Sequence, residues 1–253
     1  MYKNIRKLIY ITLGTLDKIT GQKNNIAIYC YHGVGDDGWK YTTTQKDFEN
    51  QLKHLLSVST PITLKQIENR IIGVKKITKP SFAITFDDGY AEIVKLKKLF
   101  KVARVKPAVF IIKDPAKRDT QVLGTNKKLL SAGQIKELKT NGWTAGSHSQ
   151  THKVLTDLSD KELAYEVKKG SEKYFCYPKG KYNNKVLASV KKAGFSLAFS
   201  MDDGFITQRT DLYKVPRIGV DSTHSFEEFK VLASPSVVRF RKLIKMFFIN
   251  KYL

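Results

Sequence analysis

Two carboxylates and two imidazoles are the residues of this chain best suited to chemistry. Asp87 and Asp88 lie in Thr85-Phe86-Asp87-Asp88-Gly89-Tyr90, and His148 and His152 in Ser147-His148-Ser149-Gln150-Thr151-His152. Oxygen and nitrogen donors of this kind suit a divalent metal with open coordination positions. Each piece follows a run that reads as a buried strand, Ser81-Phe82-Ala83-Ile84 and Gly142-Trp143-Thr144-Ala145-Gly146. The four side chains then emerge at strand ends, where parallel α/β folds gather their chemistry. Neither pair is specific alone, since Asp-Asp is common in turns and His-x-x-x-His arises by chance on helix surfaces. Their conjunction carries the signal, each piece following a strand and preceding a helix. A third strand-end segment, Tyr177-Pro178-Lys179-Gly180-Lys181-Tyr182, has the proline and glycine of a shaped loop.

The rest of the chain alternates strand-like and helix-like segments. Strands are expected at residues 25–31, 61–64, 81–86, 106–112, 174–177, 195–200 and 213–215. Helices are expected at 44–58, 65–71, 91–103, 131–140, 159–169, 183–192 and 225–232, from apolar positions at helical spacing. Ser159 with Glu162 three residues on reads as a capping box. Strands separated by helices imply parallel pairing with right-handed crossovers, and seven or eight such units suggest a closed or nearly closed barrel. One catalytic domain over residues 25–235 accounts for the pattern, flanked by basic amphipathic segments at 1–24 and 236–253.

The 253 residues carry 45 Lys and Arg against 23 Asp and Glu, a net charge of +22. That balance predicts attraction to polyanions, without choosing among nucleic acid, anionic lipid and acidic glycan; a lysine-rich proteome gives the same number. No nucleic-acid-binding module is recognisable and the lysines are spread over most helices, so no nucleic-acid partner is expected. Cys30 and Cys176 fall inside expected strands and read as small buried hydrophobes rather than a disulfide framework. Residues 8–16 are largely apolar but far shorter than the roughly 20 needed to span a bilayer. Residues 236–253 interleave Val237, Val238, Phe240, Leu243, Ile244 and Phe247 with Arg239, Arg241, Lys242 and Lys245, with no acidic residue. That is the composition of a helix lying in a membrane interface; the alternative is a terminal helix docked on the barrel. Both termini therefore point to peripheral contact with an anionic membrane from the cytoplasmic side, or to export on an uncleaved N-terminal segment.

Taken together, these motifs resemble the polysaccharide deacetylases of carbohydrate esterase family 4, the NodB homology domain, over roughly residues 25–229. Residues 155–166 follow the same family's usual continuation. The resemblance implies a distorted (β/α)7 barrel and a divalent metal, zinc before cobalt or nickel, held by Asp88, His148 and His152. It assigns Asp87 as general base and Tyr177, Pro178, Lys179 and Gly180 to the substrate and oxyanion loop, with the Lys179 N–H on the oxyanion. The implied reaction is removal of N-acetyl groups from the amino sugars of a polysaccharide or lipid-linked glycan. The residue chemistry agrees, because three protein ligands leave room on a metal for water and an acyl oxygen, and a neighbouring carboxylate can take the water's proton.

The chain departs from the family where an arginine usually orients the base, for Cys176 stands at the matching position. The later aspartate-tryptophan and histidine motifs are not recognisable. These departures resemble the circularly permuted branch that includes poly-N-acetylglucosamine deacetylases, in which the acid comes from the first strand. His32, in Tyr29-Cys30-Tyr31-His32-Gly33-Val34, is then the acid, and Arg217 replaces the missing arginine. His54 reads as a helix-surface residue and His224 as a helix-start residue. The Cys176 departure leaves a catalytically inactive glycan-binding domain of the same fold as the alternative, with a basic nucleic-acid-binding protein ranked after it. The oligomeric state is left open.

Overall fold

A computed structural model describes residues 2–19 and 26–249. Among them are ten strands: β1 Ile26–Tyr31, β2 Gly33–Val34, β3 Thr42–Thr43, β4 Thr60–Pro61, β5 Ser81–Phe86, β6 Ala108–Ile111, β7 Thr144–Ser147, β8 Tyr174–Cys176, β9 Leu197–Phe199 and β10 Ile218–Gly219. Eight form one parallel sheet, ordered β10-β1-β5-β6-β7-β8-β9 with β4 paired to the start of β5. Residues 212–220 run from one edge to the other. Val215 bridges Phe199 of β9, and the Val220 N–H donates to the Cys30 carbonyl of β1. The sheet therefore curls into the distorted (β/α)7 barrel, with helices around it.

Strand alternation sorts the side chains into two cores. Ile28, Ala83, Phe110, Cys176 and Phe199 pack with one another inside the barrel. Tyr29, Phe82, Ile84 and Phe86 point the other way, onto Phe48, Phe100 and Trp143 from the surrounding segments. Gly146 in β7 permits the packing, because a Cβ there would lie 2.5 Å from the Phe110 ring. The inward parity of Ala83 and Thr85 continues past the end of β5 to Asp87, which carries a carboxylate into the barrel mouth.

Several elements differ from their sequence expectation. Residues 91–103 form a 3₁₀ stretch, Ala91–Leu96, followed by a short α-helix, Lys97–Val102. The Ala91 N–H is taken by the Lys128 carbonyl and Tyr90 bridges Leu129, which pins the entry to that helix and tightens its first turn. Residues 213–215 make a single bridge rather than a strand, and pairing with β1 begins only after Pro216, which has no N–H to give. Leu64 opens a helix instead of ending a strand, since Thr63 and Gln66 close a capping box. The Ser159–Glu162 capping box forms as expected, but its helix stops at Glu166. No helix follows His152 directly: a loop and the 3₁₀ turn Leu155–Asp157 intervene.

The terminal segments form helices Tyr2–Ile19 and Pro235–Ile249, packed on each other and on the barrel flank. Tyr10 meets Phe240 edge to face at 6.2 Å, and Val237 and Val238 are buried in the outer core. Asp17 accepts from the Ser236 N–H and hydroxyl, both at 2.7 Å, and Arg6 donates to Glu228 at 2.8 Å. Each helix keeps a second apolar stripe in solvent: Ile5, Leu8, Leu16 and Ile19 on one, Leu243, Met246 and Phe247 on the other. Among the described residues no helix is long and apolar enough to cross a membrane. Residues 1, 20–24 and 250–253, parts of the two expected terminal segments, and residue 25 of the first expected strand lie outside the described residues.

Candidate active site

The barrel mouth is built from strand ends and the turns that follow them. After β5 the Gly89 N–H bonds back to the Asp87 carbonyl at 2.8 Å, closing a three-residue turn around Asp88. Asp88 sits at φ 67°, and Ser149, His152 and Lys179 also have positive φ. Left-handed backbone at non-glycine residues costs of order 1–3 kcal/mol each. Three of the five such residues described line this one cavity and Ser149 directly follows a fourth lining residue, His148, so the surrounding contacts over-determine its backbone.

Asp88, His148 and His152 converge. Asp88 Oδ1 lies 3.3 Å from His148 Nε2 and 3.2 Å from His152 Nε2, and all three side chains are buried. His148 Nδ1 sits 2.8 Å from the Cys176 carbonyl oxygen. A carbonyl only accepts, so Nδ1 carries the proton and Nε2 presents a lone pair. That lone pair faces a buried carboxylate oxygen on which no hydrogen-bond donor is aligned. Two acceptors aimed at each other in a dry site are satisfied by a cation between them, so the donor set fits a divalent metal. Burial alone would raise the Asp88 pKa, but the two imidazoles hold it well below the ordinary carboxylate value. Burial lowers both histidines; contact with Asp88 and the charge of Asp87 outweigh it for His148, which ends raised, while His152 ends lowered.

Asp87 has a different environment. Arg217 Nη1 donates to Oδ1 at 2.6 Å and Nη2 to Oδ2 at 2.7 Å, a bidentate pair with both partners buried. Burial would push this carboxyl up, but the guanidinium holds it far below the usual range, so it stays ionised. Arg217 is itself fixed by Nε donation to the Ser200 carbonyl at 3.0 Å and by Thr85 Oγ1 at 3.1 Å, and stands over the Phe110 ring at 5.6 Å. The sulfurs of Cys30 and Cys176 each lie 3.4 Å from Asp87 Oδ2, and burial drives both thiols upward. Both are free cysteines; the family resemblance sets Cys176 at the position of a base-orienting arginine, whereas no pattern points Cys30 at the carboxylate.

His32 lines the same cavity from the end of β1, half-buried beside Tyr41 (rings 5.1 Å apart) and edge-on to Trp39. Its Nδ1 is buried with no hydrogen-bond partner among the described residues. The four residues of the expected substrate loop divide. Lys179 and Gly180 reach the cavity, whereas Tyr177 and Pro178 are buried behind it, with the Tyr177 hydroxyl donating to the Tyr213 carbonyl at 3.0 Å. His54 packs near Phe226 and Phe229 on a helix, and His224 pairs with Asp221; neither lines this cavity.

Four contributors had no clear signal in the sequence. Glu166, at the end of a helix, accepts from the N–H groups of Gln150 and Thr151 at 3.1 and 2.9 Å and from the Thr151 hydroxyl. It thereby fixes the loop between the two histidines. Trp39 and Tyr41 come from the loop between β2 and β3, and Lys245 from the C-terminal helix. Only the fold brings Trp39, Tyr41 and Lys245 to a cavity of about 260 Å³.

Residues 75–198 match the polysaccharide deacetylase family profile. The poly-beta-1,6-N-acetyl-D-glucosamine N-deacetylase of Staphylococcus aureus is 30% identical over 214 residues, spanning 74% of this chain and 70% of that protein. Two solved structures share the fold. IcaB from Ammonifex degensii superposes with a TM-score of 0.72 at 20% identity, covering 84% of this chain and 98% of that one. Deacetylase PplD from Streptococcus pyogenes, in complex with acetate, gives 0.71 at 18%, covering 85% and 100%. Together with the buried Asp/His cluster, these likenesses establish that the chain belongs to the polysaccharide deacetylase family, enzymes that hydrolyse amide bonds with a bound metal.

Proposed function

We propose that this protein removes N-acetyl groups from the amino sugars of a glycan, with zinc held by Asp88, His148 and His152. The observation that carries this reading is the convergence of those three donors beside a carboxylate clamped by arginine. A zinc ion bound there would act as a Lewis acid, lowering the pKa of a water and polarising the acyl oxygen. Asp87 takes the proton of the attacking water through Oδ1: Arg217 occupies one lone pair there and leaves the other free, whereas Oδ2 faces Arg217 and both thiols. The same clamp keeps Asp87 from rotating and ligating the metal itself. His32, on the other wall, protonates the departing amine, and the turn at Lys179 and Gly180 faces the developing oxyanion. The Trp39 and Tyr41 rings offer flat apolar faces to a sugar ring.

Acetate release from N-acetylated oligosaccharides, with zinc, cobalt or nickel supplied, tests the reading. His148→Ala should lose both bound metal and activity. Asp87→Asn should retain metal and lose turnover, and turnover kept in that variant would overturn the base assignment.

The reading extends to peripheral binding on an anionic bilayer, supported by the solvent-facing stripes on both terminal helices and by the charge of +22. Deleting the C-terminal helix would remove the buried Val237 and Val238, so point changes are the cleaner probe. Leu243→Glu with Phe247→Glu should abolish sedimentation with phosphatidylglycerol vesicles; unchanged sedimentation would refute the membrane contact.

A further inference from the structure

A second cavity, of about 510 Å³, lies between the two terminal helices and the barrel mouth. That volume falls within the range of small-molecule sites. Its walls are mostly apolar: Ile5, Ile9 and Tyr10 from the N-terminal helix, Phe240 and Ile244 from the C-terminal helix, and Val220 beyond β10. Neither helix forms the groove alone, since each contributes half-buried side chains, Ile9 from one and Phe240 and Ile244 from the other. His32, Tyr41, Met201 and Lys245 line both this groove and the catalytic cavity, so the two hollows meet across those side chains. Two cations stand at the junction. Lys40 is exposed, with Nζ 5.2 Å from the Tyr41 ring, and Lys245 donates to the Met201 carbonyl at 2.7 Å while pairing with Asp203. Outside the groove stand Leu8 on one helix and Leu243 and Phe247 on the other, all exposed.

We propose that this groove receives the hydrocarbon chain of a lipid-phosphate-linked amino sugar. The sugar enters the catalytic cavity, the phosphate rests by Lys40 and Lys245, and the chain runs between the terminal helices. This rests on the N-deacetylase reading above and narrows its substrate class. The order of chemistry along the surface matches the order within such a molecule: a polar cavity with the metal-ligand set, then cations, then an apolar channel, then exposed apolar side chains. A soluble glycan has no apolar segment to fill the channel, whereas a hydrocarbon chain leaves water on entering it. Lysine ammonium groups suit a phosphate as point charges.

Calorimetric titration of the full chain with inorganic phosphate and with hexyl, octyl and decyl phosphate tests the groove directly. Affinity should rise about fourfold for each methylene buried. Ile244→Glu should flatten that dependence, and Lys40→Glu should weaken every alkyl phosphate about tenfold. Should Ile244→Glu fail to fold, the wild-type chain-length series still decides. Affinity independent of chain length overturns the proposal, as does a dimer in sedimentation velocity that Ile244→Glu dissociates, which would make a second copy the occupant. The kinetic counterpart compares acetate release from a soluble N-acetylglucosamine oligosaccharide and from a polyprenyl-phosphate-linked N-acetylglucosamine. Ile244→Glu should lower the preference for the lipid-linked substrate at least tenfold. Acetate release from the soluble substrate with a flat alkyl series defeats the groove alone. No acetate release from either substrate defeats the deacetylase reading on which the groove's assignment rests.

Discussion

The two walls of the catalytic cavity are made differently. One wall holds Asp87, Asp88, His148, His152 and Arg217, all buried, all at strand ends or their turns, and bonded to one another or to backbone. The other holds His32, Trp39 and Tyr41 on and beside two-residue strands, half-buried or exposed, in contact through ring edges and faces. Charges kept dry by a rigid barrel are pre-positioned and need little reorganisation during reaction. Aromatic rings on short, accessible segments adapt to a ligand more readily. In the proposed reaction, bond-making chemistry falls to the first wall, and proton delivery and substrate contact to the second.

The sharpest way to break that division is Arg217→Met. It leaves Asp87 a buried charge without its partner, a loss of about 3–5 kcal/mol. A fall in Tm on the order of 10 °C should follow in a scanning melt, with kcat reduced about a thousandfold. A variant that melts like the wild type would show that the buried wall does not depend on this pair.

The second wall should respond in another way. His32→Ala should lower kcat about a hundredfold or more while metal content, measured by atomic emission, and Tm stay near wild type. Loss of metal in this variant would erase the distinction between the walls. Glu166→Gln tests how far the rigid wall depends on what supports it. Weaker acceptance from Gln150 and Thr151 should loosen the loop between the histidines and reduce metal affinity about tenfold, read by competition with a chelator.

The smallest effect concerns the N-terminal helix, far from the metal. Burial would raise the Glu228 pKa, but donation from Arg6 lowers it below the ordinary value. A depressed folded-state pKa gives stability that is fully present above the unfolded value, about 4.3, and lost as pH falls through the folded one. Glu228→Gln keeps a side chain able to close the capping box with Ser225 but gives up the ion pair. Its Tm should sit about 2–4 °C below wild type between pH 6 and 8, and the gap should close below about pH 4. A gap that persists at pH 3 would exclude the ion pair as its source.

Much of the rigid wall was legible in the sequence, because its residues lie in two short motifs directly after apolar strand runs. Asp87 and Asp88 follow β5, and His148 follows β7, so strand alternation and chain proximity already place them at one end of the barrel. The Ser159–Glu162 capping box was legible for the same reason, since its two residues are three apart. Arg217 was harder. Its partner Asp87 is 130 residues away, and the segment carrying it pairs only at Val215 and from Ile218 onward. Element lengths were overestimated because tertiary bonds, such as Ala91 N–H to the Lys128 carbonyl, end regular structure where local pattern would continue it.

What the sequence determined by itself was therefore local: strand runs, caps, the two motifs and a basic, amphipathic character at both termini. Tertiary structure decided what depends on closure of the barrel. Closure sets Arg217 on Asp87, places both cysteine sulfurs against the same carboxylate, and turns Tyr177 away from the cavity that Lys179 reaches. It also docks both terminal helices beside the mouth, so that Lys245, remote in sequence from both motifs, lines the catalytic cavity. Contacts within a few residues follow from backbone geometry and side-chain periodicity. Contacts across a hundred or more depend on which strand edges meet, and no local pattern encodes that.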